Sequence, residues 1–182
     1  FYNTAIAAEY TIDKAHSEVT FKVKHLGISY VYGNFGEFEG TYTFEPTTPS
    51  ESSVQATIKT TSIDTGNSKR DDHLRNPDFF EASAYPLITY RSKAIENASA
   101  SGFKVIGDLT MHGVTKEVVL DVVYNGAATD PGGNERTAFS ATTELNRKDF
   151  GLTWNKLLET GGVIVGDEIK INLEIAGIKT KD

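Results

Sequence analysis

Apolar and polar residues alternate along most of this chain, the period of strands with one face buried and the other wet. Residues 17–24 set Val19, Phe21 and Val23 on one face and Thr20, Lys22 and Lys24 on the other. The same pattern predicts a strand at 10–13 and a long one over 31–44, where Gly36, Phe38, Gly40, Tyr42 and Phe44 oppose Glu37, Glu39, Thr41 and Thr43. Glycines inside a strand predict sharp bending or a close approach. Further inner faces are Val54, Ala56, Ile58 and Thr60; Ile88, Tyr90, Ser92 and Ala94; and Phe103, Val105, Gly107, Leu109 and Met111. The last three are Val118, Leu120, Val122 and Tyr124; Phe139, Ala141, Thr143 and Leu145; and Ile169, Ile171, Leu173 and Ile175. Val119 and Val123, on the opposite face of their strand, predict cover by a second element or subunit. Residues 26–30 read as a loop or short helical turn, His112-Gly113 as a tight turn, and 45–53 and 126–134 as proline- and glycine-bearing connections. Roughly eight strands with hairpin-scale connections make an all-β chain, and the period alone leaves a closed barrel and a sandwich open.

Two stretches break the alternation. The first, KRDDHLRNPDFF at 69–80, predicts a short helix. Asn67 or Ser68 caps it, Asp71 and Asp72 fall in the first turn where the helix dipole favours negative charge, and Pro77 ends it. Asp78, with Glu81 three residues on, then predicts a second short turn presenting Phe79 and Phe80. These aromatics either plug one end of a core or border an opening. The second stretch, 147–158, predicts a mostly apolar lid carrying Phe150, Leu152, Trp154, Leu157 and Leu158.

Many inward positions are small: Gly36, Gly40, Ala56, Ser92, Ala94, Gly107, Ala141 and Thr143. A barrel of about eight strands either fills itself with side chains or holds one ligand, and side-chain size decides which. Unfilled apolar volume costs roughly 24 cal/mol per Å³, so small linings favour a barrel occupied by an apolar molecule. A flattened sandwich whose faces meet is the alternative.

Composition narrows the function classes. A length of 182 residues suits one domain, and 38% hydrophobic with 24% charged residues fits an ordinary folded chain. The net charge of −7, with lysines scattered along strands, excludes a nucleic-acid stripe. There is no cysteine, so disulfides, thiolate metal sites and cysteine nucleophiles are out. His16, His25, His73 and His112 show no close pairing that would bring two imidazoles to a metal, and no GxSxG elbow or glycine-rich phosphate loop is present. The small-x-small run Ala5-Ile6-Ala7 before Ala8-Glu9 has the form cleaved by signal peptidase, which predicts an exported protein with residues 1–9 as a leftover tail and 10–182 as a single domain.

Four segments in order, YTIDKAHSEVTFKVKHL (10–26), KRDDHLRNPDFF (69–80), GDLTMHGVTKEV (107–118) and NRKDFGLTWN (146–155), resemble the YceI family. The resemblance implies a bacterial periplasmic or secreted protein with a lipocalin-like antiparallel β-barrel and one or two short helices at its rim. Its cavity would bind, carry or store an isoprenoid lipid, a polyprenyl phosphate or an isoprenoid quinone such as ubiquinone. It also implies a homodimer, lipid exchange with a membrane, no required cofactor and no catalysis. Within that reading Phe21, Phe38, Tyr42, Ala56, Ile58 and Tyr90 are expected along the ligand chain, as are Val105, Leu109, Val122, Phe139, Ala141, Ile171 and Leu173. His73, Phe79, Phe80 and Trp154 are expected at the rim, and Arg70, Asp71, Arg147 and Lys156 are candidates for a charged head group. Two alternatives stand beside it: an enzyme acting on a lipid through rim histidine and aspartate, and a solid-cored interaction protein.

Overall fold

The computed structural model describes residues 7–99 and 101–181. Among the described residues eleven strands make one antiparallel sheet. They are β1 (Ala8–Ile12), β2 (Glu18–His25), β3 (Ser29–Phe35), β4 (Phe38–Phe44), β5 (Ser53–Lys59), β6 (Ile63–Asp64), β7 (Leu87–Glu96), β8 (Gly102–Met111), β9 (Val114–Thr129), β10 (Glu135–Asn146) and β11 (Val165–Lys179). The helix α1 (Ser68–Arg75) follows β6.

Three pairs of these strands run end to end. β11 pairs with β2 through Ile169–Glu174 and with β1 through Gly177–Lys179, so β1 and β2 form one interrupted edge. β3 continues into β4, and β5 into β6, across similar short breaks. The result is an eight-strand antiparallel barrel closed where β1 meets β11. Even with closure through β1 and β11, the short β6 and the first half of β3 lack a strand partner on one side. The sandwich alternative is thereby replaced by a barrel.

Breaks in the ladder explain where the simple alternation misled. The predicted single strand over 31–44 is split at Gly36 and Glu37, and the inward parity flips: Gly33 and Phe35 are buried in β3, whereas Tyr42 and Phe44 are buried in β4. In β7 the register shifts between Ser92 and Ala94, so Ala94 is exposed and Ile95, not Ala94, packs inward. Such a bulge inserts one residue and reverses every side chain beyond it. Residues 26–28 make a hairpin turn with Leu26 at φ 54° and Gly27 at φ 73°, not a helical turn. His112 and Gly113, at φ 53° and 72°, form the predicted two-residue turn.

The first strand starts at Ala8, so Ala8 and Glu9 pair with Phe44 and Thr43 and belong to the barrel rather than to a tail. Phe1 to Ile6, where the cleavage motif begins, lie outside the described residues. Val119 and Val123 stand on the outer face, 38% and 53% exposed, with no element of the described chain over them.

Inside, two hydrophobic clusters occupy the two ends. One is aromatic: Tyr10, Tyr42, Phe44, Phe103, Val105 and Phe139. The other, under α1, is mainly aliphatic and includes Val19, Ile63, Ile88, Met111, Leu145, Phe150 and Leu152.

Candidate functional site

Between the two clusters the barrel keeps a cavity of about 270 Å³. A single water needs only ~10–15 Å³ on the same measure, so the space exceeds a packing defect roughly twentyfold. Its walls present only apolar surface. Phe21, Phe38, Ile58, Leu109, Ile171 and Leu173 point inward yet stay half-buried, because their remaining exposure is to this space.

The few polar atoms near the walls are already engaged. The Tyr42 hydroxyl lies 2.7 Å from Thr137 Oγ1, and burial pushes its pKa up to about 12. The Tyr90 hydroxyl donates to the carbonyls of Val105 and Val118 at 3.1 Å each, and burial again raises its pKa. Both phenols therefore stay neutral. Ser52 Oγ, at the wall just before β5, is the one buried side-chain polar atom without a partner among the described residues.

Of the small inward residues, Gly107 does a different task from the one predicted, and Gly177 shares that task. A Cβ on Gly107 would sit 2.6 Å from the ring and hydroxyl of Tyr90, and one on Gly177 would overlap the Tyr42 ring. These glycines admit a tyrosine lying flat across the strand, so they make room for packing, not for a ligand. Ala56 and Ala141, by contrast, do line the cavity.

The rim is built from the two irregular stretches. Asn67 caps α1, its Oδ1 accepting from the Arg70 amide at 3.0 Å, and the helix ends at Arg75 ahead of Pro77. Arg75 ties it down, its guanidinium donating to the carbonyls of Thr61 and Ile63 at 2.9 and 2.8 Å. The predicted Asp78 cap is not formed: Asn76 Oδ1 accepts from the Asp78 amide, and Asp78 turns its carboxylate to His73 Nε2 at 2.9 Å. That turn places Phe79 and Phe80 on the cavity wall, Phe80 edge-on to Phe35 at 6.1 Å between centroids.

Of the residues expected along the ligand chain or at the rim, all but His73 and Trp154 line the cavity. Those two stand behind Phe79, with ring centroids 5.0 and 5.1 Å from it and 4.9 Å from each other, joining α1 to the 147–158 segment. The head-group candidates do not converge. Arg70 and Asp71 both bind Thr65: the guanidinium donates to its hydroxyl and carbonyl at 2.7 and 2.9 Å, and the Asp71 carboxylate accepts from its amide at 2.9 Å. Arg147 borders the cavity but is buried and already engaged. It is 3% exposed, its Nη1 donates to the carbonyls of Leu152 and Trp154 at 2.6 and 2.8 Å, and its Nε donates to Gly166 at 2.9 Å. Burial lowers its pKa, partly offset by Asp167. Lys156 is exposed. In the lid segment Phe150 and Leu152 are buried, whereas Leu157 is 79% exposed.

Several wall residues escaped the sequence reading. Val19, Phe103, Leu120 and Ile169 stood on predicted inner faces, and their depth along the barrel was the missing quantity. Phe35 and Ile95 were hidden by the two parity reversals.

Comparison with known proteins decides the family. The model of the YceI-like domain matches residues 10–177. A UPF0312 protein of Yersinia enterocolitica is 37% identical over 180 residues, covering 98% of this chain and 90% of the relative. The chain belongs to the YceI family. Among solved structures, BcnA of Burkholderia cenocepacia superposes on this YceI barrel with a TM-score of 0.79 at 27% identity, covering 91% of this chain and 98% of BcnA. A polyisoprenoid-binding domain from Saccharophagus degradans, implicated in plant cell wall breakdown, superposes with a TM-score of 0.70 over 96% of this chain and 99% of its own. At 14% identity that likeness shows the shared barrel alone.

Proposed function

We propose that this YceI-family protein binds one long isoprenoid lipid, a polyprenyl phosphate or an isoprenoid quinone, inside the barrel and carries or stores it outside the cytoplasm without chemical change. The observation behind the proposal is the apolar cavity of about 270 Å³ in a barrel otherwise packed at both ends. An empty apolar space of that size is costly, and a flexible apolar chain gains ~25 cal/mol for each Å² it buries there. The name of the Saccharophagus domain supports the isoprenoid class. Engagement of the wall phenols, Arg70, Asp71 and Arg147 in internal hydrogen bonds favours holding a ligand over reacting with it. Mass spectrometry of an organic extract from protein purified without detergent tests the reading. A stoichiometric isoprenoid is expected; an extract free of any apolar chain, together with no uptake of a polyprenol offered in micelles, would refute it.

A further inference from the structure

Beside the lid, the barrel carries apolar side chains that its own fold leaves in water. Ile28 is 88% exposed and Leu157 79%, and Leu26 and Val163 are also exposed. They belong to one edge. The Leu26 amide donates to the Ile164 carbonyl at 2.9 Å, Leu157 bridges to Val163, and His25 pairs with Val165. The β2–β3 turn and the segment before β11 are thus held together at the same end of the barrel.

Two further features surround this edge. On the outer face of the hairpin Tyr30 lies opposite Lys24 and Tyr32 opposite Lys22, the Tyr32 side being 65% exposed and the Lys22 ammonium lying 5.1 Å over the Tyr30 ring. Lys156 adjoins Leu157. Lys22, Lys24 and Lys156 form no ion pair among the described residues, whereas the acids at the start of β11, Asp167 and Glu168, are taken by Lys148 and Lys170. Glu159 is the acid left on the loop. On a chain of net charge −7, a local excess of cations around bare aliphatic tips is a marked departure.

The succession of aliphatic tip, tyrosine pair and lysines matches the layers of a lipid headgroup boundary. An isologous contact with a second copy would set the same lysines on both sides of the interface. Phe21, on β2, and Leu152, in the lid, line the cavity from these same segments. We propose that this edge docks the barrel on an anionic bilayer surface, with Ile28 and Leu157 entering the headgroup region. The docking brings the cavity to the membrane, and in that respect it rests on the lipid-binding reading.

Flotation with phosphatidylcholine vesicles, with and without about 30% phosphatidylglycerol, tests it. Wild type should float with the anionic vesicles and less so at high salt. Combining Ile28→Asp with Leu157→Asp should lower the partition coefficient at least about tenfold, and Lys24→Glu with Lys156→Glu about fivefold. Failure of wild type to float, or flotation of both variants equal to that of wild type, overturns the proposal. So does sedimentation showing a dimer that the aspartates dissolve while vesicle binding is unchanged. Uptake of a polyprenol from detergent micelles, measured on the same proteins, separates the two readings. Variants that load normally but do not float support docking, and a wild type that floats but never loads keeps docking and removes the lipid cargo.

Discussion

The two ends of the barrel are closed by different physics. At the end where β1 meets β4 and β11, closure is by filling: Phe139 packs against Tyr42, Phe44 and Tyr124 with ring centroids 5.5, 4.9 and 5.3 Å away, and Tyr10 stacks on Tyr42 at 5.2 Å. Outside this plug Arg136 clamps Asp13 and Asp130 at 2.6 and 2.8 Å. At the other end closure is by covering: an eight-residue helix and a segment with little regular structure, each lashed down by one arginine donating to carbonyls. Opening the first end would break strand ladders and a continuous aromatic stack. Opening the second releases side chains from backbone and uncovers Phe150 and Leu152 but leaves the long strand ladders intact, which makes it the end through which a ligand has the lower barrier.

The contrast is breakable in order of expected effect. Arg147→Met removes the donors that satisfy the carbonyls of Leu152, Trp154 and Gly166 and leaves them orphaned. A loss of about 4 kcal/mol in urea unfolding is expected, with faster ligand release from the protein that remains folded. Phe139→Ala should cost about 3–5 kcal/mol, whereas Phe80→Ala at the rim should cost about half that and speed exchange; equal costs and equal exchange rates would erase the distinction between plug and lid. Ala141→Phe puts a ring into the cavity and should cut lipid loading severely at about 1–3 kcal/mol of stability, read by native mass spectrometry and thermal melting. Gly107→Phe is a poor substitute, since it collides with Tyr90 before reaching the cavity.

Acid tests the clamp on the filled end. The Arg136 guanidinium, and then His16, hold the Asp13 carboxyl below its ordinary value of 3.8; Arg136 also lowers Asp130, strongly. A depressed carboxylate contributes its full stability above the unfolded value and loses it as pH falls through the folded one. The difference in urea midpoint between wild type and Arg136→Gln should therefore stay level from neutrality down to about pH 4 and shrink only below it. The smallest effect is expected from His73→Ala, which gives up an exposed bond to Asp78 and edge contacts to Phe79 and Trp154. It should lower stability by less than about 1 kcal/mol and leave loading intact; loss of loading would place His73 in the site after all.

Much of this was legible in the order of residues. Alternation located the strands, and the inner faces of β2, β8, β10 and β11 were read correctly from Phe21, Leu109, Ala141 and Ile171. Alternation is local and carries no record of an extra residue in one strand, so Phe35 and Ile95 were lost at a break and a bulge that exist only relative to a neighbour. The internal bonds of Arg70, Asp71 and Arg147 were not legible for a related reason. A charged residue in a rim motif reads as a ligand contact, whereas here the backbone of an irregular segment needed the donors and acceptors first. Glycine carried a similar ambiguity, since space for a ligand and space for a neighbouring tyrosine demand the same missing side chain.

Closure of the barrel also dictates when folding can finish. β11, fifteen residues near the end of the described chain, pairs with β10, β2 and β1 together, and Ser17 reaches Ala176 across 159 positions of sequence. Until that strand is in place the first strands lack a partner on one side, and the unsealed sheet exposes both its greasy lining and a free edge. Such long-range closure is slow. A nascent chain of this design is consequently most vulnerable to aggregation just before completion, and a chaperone that shields the half-built sheet would matter more to its yield than to its final stability.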